Sequence, residues 1–255
     1  MSNFDLRQNG GATEFVHGLT GVTGLRMESK HGQVPNFDKV QFFDDFTGDV
    51  IDAGWNVVAG SDSPAAVAWS AVADGVIRIT TGDSNASVAA DGAVLNRNLI
   101  WKASSGNMVL QARVKVDVIT SVKMFIGLTD TLSLEEPMNM TTTTLTTTAS
   151  DAVGFFFDTA ATAQFWQCAG VKGDTDTAVT TTTYAPVAAT YQDFRIEVDS
   201  SGGALFFING VQVASIANCV TTSVALTPVF YARASGNTTS KNMDVDYVYL
   251  SKNRT

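Results

Sequence analysis

The stretch from Tyr191 to Ile216 most narrows what this chain can become. In its first run Phe194, Ile196 and Val198 alternate with Arg195, Glu197 and Asp199. A period of two sends the apolar set to one face of a strand and the charges to the other. Ser200 to Gly203 supplies a turn, and Ala204 to Ile208 a second strand. Asn209-Gly210 then sits between apolar runs, and both residues tolerate the positive φ that a type I′ hairpin requires. Val211, Val213 and Ser215 carry the chain back. The stretch predicts a three-stranded antiparallel meander. Nothing in it is chemically reactive, so it speaks for a fold and not for an activity.

The rest of the chain keeps this rhythm. Met108, Leu110, Ala112, Val114 and Val116 alternate with Gln111, Arg113, Lys115 and Asp117. Met124, Ile126 and Leu128 follow in phase, which predicts that the two runs form a central pair with one wetted face. Val153 to Phe157 reads as a fully buried strand. Leu134-Glu-Glu-Pro137 suits a single helical turn, and the Thr-rich segments Thr141 to Thr148 and Lys172 to Thr183 suit exposed hairpin loops. Short strands punctuated by turn residues at intervals of about 8 to 12 positions point to an all-β sandwich or barrel.

At 255 residues, with 45% apolar and 16% charged side chains, the chain can bury a sizeable core in one domain. That domain is expected over 40–255. Residues 1–39 differ: glycines break every periodic pattern, and Phe4, Leu6, Phe15, Val16, Leu19 and Leu25 stand isolated between them. This stretch is either a disordered leader or an extended arm that orders on another surface; its large apolar residues favour the arm. It holds four basic and four acidic side chains, so the whole net charge of −9 lies downstream. An acidic domain repels phosphate, which argues against nucleic acid as a partner. No apolar run approaches the roughly 20 residues of a membrane span, and the start lacks the basic-then-apolar pattern of a secretory signal. Cys168 and Cys219 read as two small buried thiols, with a disulfide as the alternative.

A resemblance adds to these readings. Arg195-Ile-Glu-Val-Asp199, Phe206-Phe-Ile-Asn-Gly-Val211, Phe43-Asp-Asp-Phe46 with Trp55, and Met243-Asp-Val-Asp-Tyr-Val-Tyr-Leu250 resemble strands of concanavalin-like (laminin-G-like) jelly rolls. The resemblance covers roughly residues 40–251. It implies an antiparallel jelly-roll β-sandwich in which the last strand lies beside the first. With the arm, it is similar to jelly rolls of tailed-phage virion proteins, including capsid decoration proteins. That likeness implies a homo-oligomeric structural protein made in the host cytoplasm and placed on the capsid surface. Its partners would be the major capsid protein or other virion proteins. A glycan-binding module, of a tail fibre for instance, is the alternative, and a polysaccharide-active enzyme the third reading.

The chemistry expected from the residues is sparse. His17 and His31 lie in the arm, a poor platform for a catalytic imidazole. Jelly-roll glucanases carry Glu-x-Asp-x-x-Glu or Glu-x-Asp-x-Glu on one strand, which sets two carboxylates on one face as glycoside cleavage needs. No such run is present; Glu135 and Glu136 are adjacent, and Asp244 and Asp246 have no Glu beside them. The expectation is therefore no catalytic residue and no enzymatic activity. No cofactor or metal site is expected either, although Asp44-Asp45, Asp174 with Asp176, and Asp244 with Asp246 have the oxygen chemistry of Ca²⁺ ligands. For glycans the aromatic candidates are Trp69, Trp101, Trp166, Tyr184 and Tyr231, each also a plausible core residue. Deleting residues 2–36 is expected to leave a domain with one cooperative thermal transition; a broad, non-cooperative melt would show that the arm belongs to the core.

Overall fold

The computed structural model describes residues 28, 29, 32, 33 and 39–254, apart from 49, 71, 73, 74, 85, 237 and 238. Phe4, Leu6, Phe15, Val16, Leu19, Leu25 and both histidine positions up to His31 lie outside the described residues. Strands β1 (Glu28–Ser29) and β2 (Gly32–Gln33) form a short ladder of their own. The chain continues through β3 (Lys39–Asp44), β4 (Asn56–Ala59), β5 (Ala66–Ser70), β6 (Val76–Thr80), the short helix α1 (Val88–Asp91) and β7 (Gly92–Asn96). β8 (Met108–Val116) and β9 (Val122–Thr129) come next. A hairpin of β10 (Met138–Thr141) and β11 (Thr144–Thr147) leads to β12 (Asp151–Asp158) and β13 (Gln167–Lys172). The two-residue strands β14 (Thr175–Asp176) and β15 (Thr180–Thr181) follow. β16 (Tyr191–Val198), β17 (Ala204–Ile208), β18 (Val211–Ile216), β19 (Thr227–Ala234) and β20 (Asn242–Asn253) close the fold.

Two eight-stranded antiparallel sheets result. The meander sheet is ordered β18-β17-β16-β8-β20-β6-β5, with β3 also on β20. The Phe-rich sheet is ordered β14-β13-β12-β9-β19-β7-β4, with β15 also on β13. The meander forms as the alternation predicts, and Asn209 and Gly210 take φ of 51° and 78° at its tip. β20 is long enough to hold β6 with its first half and β3 with its second, so the last strand lies beside the first domain strand.

One expectation fails instructively. β8 and β9 are consecutive and in phase, yet they sit in different sheets: β8 pairs with β16 and β20, β9 with β12 and β19. The chain crosses the sandwich between them. Nor does β9 have a wetted face. Its inner side chains Met124, Ile126 and Leu128 enter the inter-sheet core, and Phe125 on the other face is equally buried. Leu134 to Pro137 forms no helical turn, and the Thr-rich run beyond it is the β10–β11 hairpin.

The inter-sheet core centres on aromatic rings. Phe155 of β12 meets Phe194 of β16 at 5.2 Å and Phe206 of β17 at 5.3 Å, both edge to face. Trp166 meets Phe194 at 4.8 Å, and its indole N–H donates to Gln192 Oε1, which lets a polar edge be buried. A second, smaller core lies on the far side of the Phe-rich sheet. There Phe125, Phe156, Ala152, Val171 and Tyr231 pack under Met138, Met140 and Leu145 of the hairpin. Gly154 makes this possible: a Cβ there would stand 2.4 Å from the Phe125 ring. Phe155→Ala is expected to cost about 3–5 kcal/mol in unfolding free energy, measured by denaturant titration; a loss well under that would mean the sheets close over the gap.

Candidate functional site

Because the Phe-rich sheet is covered on both faces, the open sheet face belongs to the meander sheet. The alternation that buries Phe194, Ile196 and Val198 turns Tyr191, Asp193, Arg195 and Glu197 outward. Register then aligns outward residues across five strands. Phe207 of β17 stands opposite Arg195 of β16, Arg195 opposite Gln111 of β8, Gln111 opposite Tyr249 of β20, and Tyr249 opposite Phe43 of β3. At about 4.8 Å per strand this row spans about 19 Å. A neighbouring row carries Asp193, Arg113 and Tyr247, and the next Tyr191, Lys115, Asp244 and Arg78. A bulge between Val245 and Tyr247 shifts the phase of β20, so that Asp244, Asp246 and both tyrosines all serve the outer face.

The face is held rigid by its own polar contacts. Gln111 Nε2 donates to the Tyr247 hydroxyl at 2.9 Å, and Gln41 Nε2 to the Tyr249 hydroxyl at 2.8 Å. The Arg195 guanidinium lies 4.1 Å over the Phe207 ring, and that of Arg113 4.3 Å over Tyr191. Each cation also has a carboxylate: Arg113 pairs with Asp246 at 2.7 Å, Arg78 and Lys115 share Asp244, and Arg195 meets Glu197 at 3.3 Å. Burial raises the phenols of Tyr191 and Tyr247, so both keep their O–H through neutral pH. Burial would raise Asp244 too, but the hydrogen bonds from Arg78 and Lys115 outweigh it and hold the carboxyl below its ordinary value. Phe43 is the most open ring of the set, at 59% exposure. Hollows lie on this face: one of about 210 Å³ beside Gln111, Asp193 and Arg195, and one of about 640 Å³ beside Val109, Glu197 and Leu205.

The aromatic candidates read from the sequence fall elsewhere. Trp101, Trp166 and Tyr231 are at most 1% exposed and are core residues, which corrects the expectation for these three. Trp69 and Tyr184 are half-buried and pack against the inter-sheet core. The row of Phe207, Tyr249 and Phe43 lies outside that set, because cross-strand register, which brings these three rings together, is not written in any one strand. The signal available was the phase of two rings: Tyr191 falls in phase with Asp193 and Arg195, and Phe43 with Gln41 and Asp45.

The acids are engaged as well. Glu136 and Asp158 meet on the covered face of the Phe-rich sheet, both bonded by Lys123 Nζ, at 2.9 and 3.2 Å; Arg233 and the Tyr231 hydroxyl also reach Glu136. Asp44 accepts from Trp55 Nε1, Asp174 from Ser150 and Asp176 from Thr147. Among the described residues no three His, Cys, Asp or Glu side chains gather as a metal site. Cys168 and Cys219 are free, buried thiols; burial pushes Cys219 up to about 12 and Cys168 well above its usual value.

No family model and no curated protein matches this sequence. Solved structures do. A glycoside hydrolase family 16 protein of the Bacteroides ovatus mixed-linkage glucan locus, in complex with a product, matches with a TM-score of 0.57 and 11% identity, covering 82% of this chain and 99% of that one. The Bacillus licheniformis β-glucanase matches with a TM-score of 0.58 and 10% identity, covering 84% and 98%. LamAcat from Zobellia galactanivorans matches with a TM-score of 0.56 and 14% identity, covering 82% and 96%. At these identities the likeness shows the fold: an all-β, concanavalin-like jelly-roll sandwich. It also corrects the expectation of no enzymatic activity. Glycoside hydrolases share this sandwich, so a fold of this kind is compatible with catalysis on glycans.

The ion pairs of the open face predict an acid response. Asp244 has a lowered folded-state carboxyl, so its contribution to stability is complete above the unfolded value and lost as pH falls through the folded one. Asp244→Asn is expected to lower the melting temperature at pH 7 and to flatten the fall in stability between about pH 5 and pH 2. An unchanged acid limb would show that the pair does not hold the sheet.

Proposed function

We propose that this chain is a glycan-binding jelly-roll module whose ligand lies on the outer face of the meander sheet. The observation that carries the reading is the cross-strand row of Phe207, Arg195, Gln111, Tyr249 and Phe43. Flat rings offer an apolar surface to the C–H face of a sugar, and the amides and guanidinium beside them offer partners for its hydroxyls. Immobilised hydroxyls and amides lower the ordering cost of binding. The structural neighbours that act on glucans support a glycan-related role for the sandwich. Attachment to a phage capsid rests on the sequence resemblance alone.

A glycan array followed by calorimetry with mixed-linkage β-glucan tests the reading, with reducing-sugar release measured alongside to report any cleavage. Phe207→Ala and Tyr249→Ala are each expected to weaken binding about tenfold, about 1.4 kcal/mol, with an unchanged thermal transition. Silence on the array, or full affinity in both variants, would overturn it.

A further inference from the structure

The charge cluster on the covered face of the Phe-rich sheet brings an amine and two carboxylates together away from water. Lys123 of β9 and Asp158 of β12 are register partners on adjacent strands. Strand alternation puts their side chains on the same face as Phe125 and Phe156, which pack under Met138 and Met140 of the hairpin. Lys123 Nζ stands 3.2 Å from Asp158 Oδ2 and 2.9 Å from Glu136 Oε1. The Asp158 side chain is fully buried, that of Glu136 is 3% exposed and that of Lys123 16%.

The surroundings fix each of the three groups. The Ala160 N–H donates to Asp158 Oδ1 at 2.7 Å, and the Met140 N–H to Oδ2 at 3.2 Å. Glu136 Oε2 accepts from the Tyr231 hydroxyl at 3.1 Å and from Arg233 at 3.2 Å, which leaves Oε1 to Lys123. Two cations thus face two carboxylates. A buried ion pair carries a desolvation cost that an uncharged amide does not. Joining Lys123 to Asp158 removes one charge of each sign and leaves Glu136 with Arg233.

We infer that Lys123 Nζ and Asp158 Cγ join in an intramolecular isopeptide bond, with Glu136 as the acid–base catalyst. One proton passes from the ammonium to Oδ2 by way of Glu136 Oε1, giving a neutral amine beside a carboxylic acid. The Nζ lone pair then attacks Cγ. The Ala160 N–H faces Oδ1, the oxygen on which negative charge gathers. Glu136 takes a second proton from the nitrogen and delivers it to Oδ2, the Cγ–Oδ2 bond breaks, and one water leaves. One C–N bond forms for one C–O bond broken, and no oxidant, reductant or cofactor enters. Holding the two groups in contact supplies the proximity that a free amine and acid in water lack. The bond ties β9 to β12 and closes a covalent loop around the cover formed by residues 132–150.

The intact mass of the denatured full chain tests the bond. The expected mass is one water below that of the sequence. A tryptic digest is expected to yield a branched peptide joining the segment that holds Lys123 to the segment that holds Asp158. Lys123→Arg keeps a cation beside both carboxylates and is expected to carry the full mass of its sequence. Glu136→Gln, with folding checked by its thermal transition, is expected to leave the freshly folded chain at full mass; complete bond formation in that variant would overturn the catalytic assignment. A wild-type chain at full mass, with an unmodified Lys123 in the digest, would overturn the inference outright. So would a lost water that maps elsewhere, for instance to a cyclic imide at Asp91-Gly92.

Discussion

The edge-to-face contacts of Phe155 with Phe194 and Phe206 set the spacing of the two sheets, and the rest of the molecule depends on them. Each such pair adds about 0.5–1.5 kcal/mol beyond the burial of its area. Their larger effect is geometric. Phe155 comes from the centre of one sheet, and Phe194 and Phe206 from adjacent strands of the other. Once they interlock, strand alternation decides which side chains remain outside. In β16 that leaves a half-exposed row of Tyr191, Asp193, Arg195 and Glu197, and in β17 it leaves Phe207.

The two outer faces then take different courses. On the Phe-rich sheet, residues 132–150 fold back as a cover. Met138 and Met140 bring the apolar cap, and Glu136 brings a charge that Lys123 and Arg233 neutralise. Removing one member of such a set strands the others in a dry site, which is why this arrangement fixes the cover in place. On the meander sheet no cover is present among the described residues. Its charges are paired across the face, and its rings stay partly exposed, Phe43 most of all. The burial of one face leaves the other as the surface on which recognition can be built.

How far this was legible in the sequence differs from element to element. The β16–β17–β18 meander was readable because its alternation, Gly turn and Asn-Gly tip are all local. The pairing of β20 beside β3 came through the resemblance. The β8–β9 error shows the limit of periodicity: alternation reports which face a residue takes, not which strand lies beside it, and two in-phase strands can cross between sheets. The tyrosine row on β20 was hidden by the bulge at Val245/Tyr247, which breaks the period of two in a stretch that otherwise reads as a regular strand. Trp101 and Trp166 drew attention as sugar platforms, yet each is a large ring placed in the core. Their size suits a core at least as well as a surface.

The open face also explains how an acidic chain can present arginines without becoming a polyanion site. Arg78, Arg113 and Lys115 are bonded by Asp244 and Asp246, and Arg195 by Glu197. Asp244 is buried between its two cations, whereas the Arg195–Glu197 and Arg113–Asp246 pairs are partly exposed and contribute little to stability. Their effect lies in orientation. Asp246 holds Arg113 where it covers Tyr191, and the Glu197 contact keeps Arg195 over Phe207. Cations tied down in this way carry little uncompensated charge toward solvent, so long-range attraction of phosphate or carboxylate polymers is weak. What the face offers is short-range: ring surfaces, fixed amides and hydroxyls at set spacing across five strands. Those are the terms on which an uncharged, hydroxyl-rich ligand is recognised.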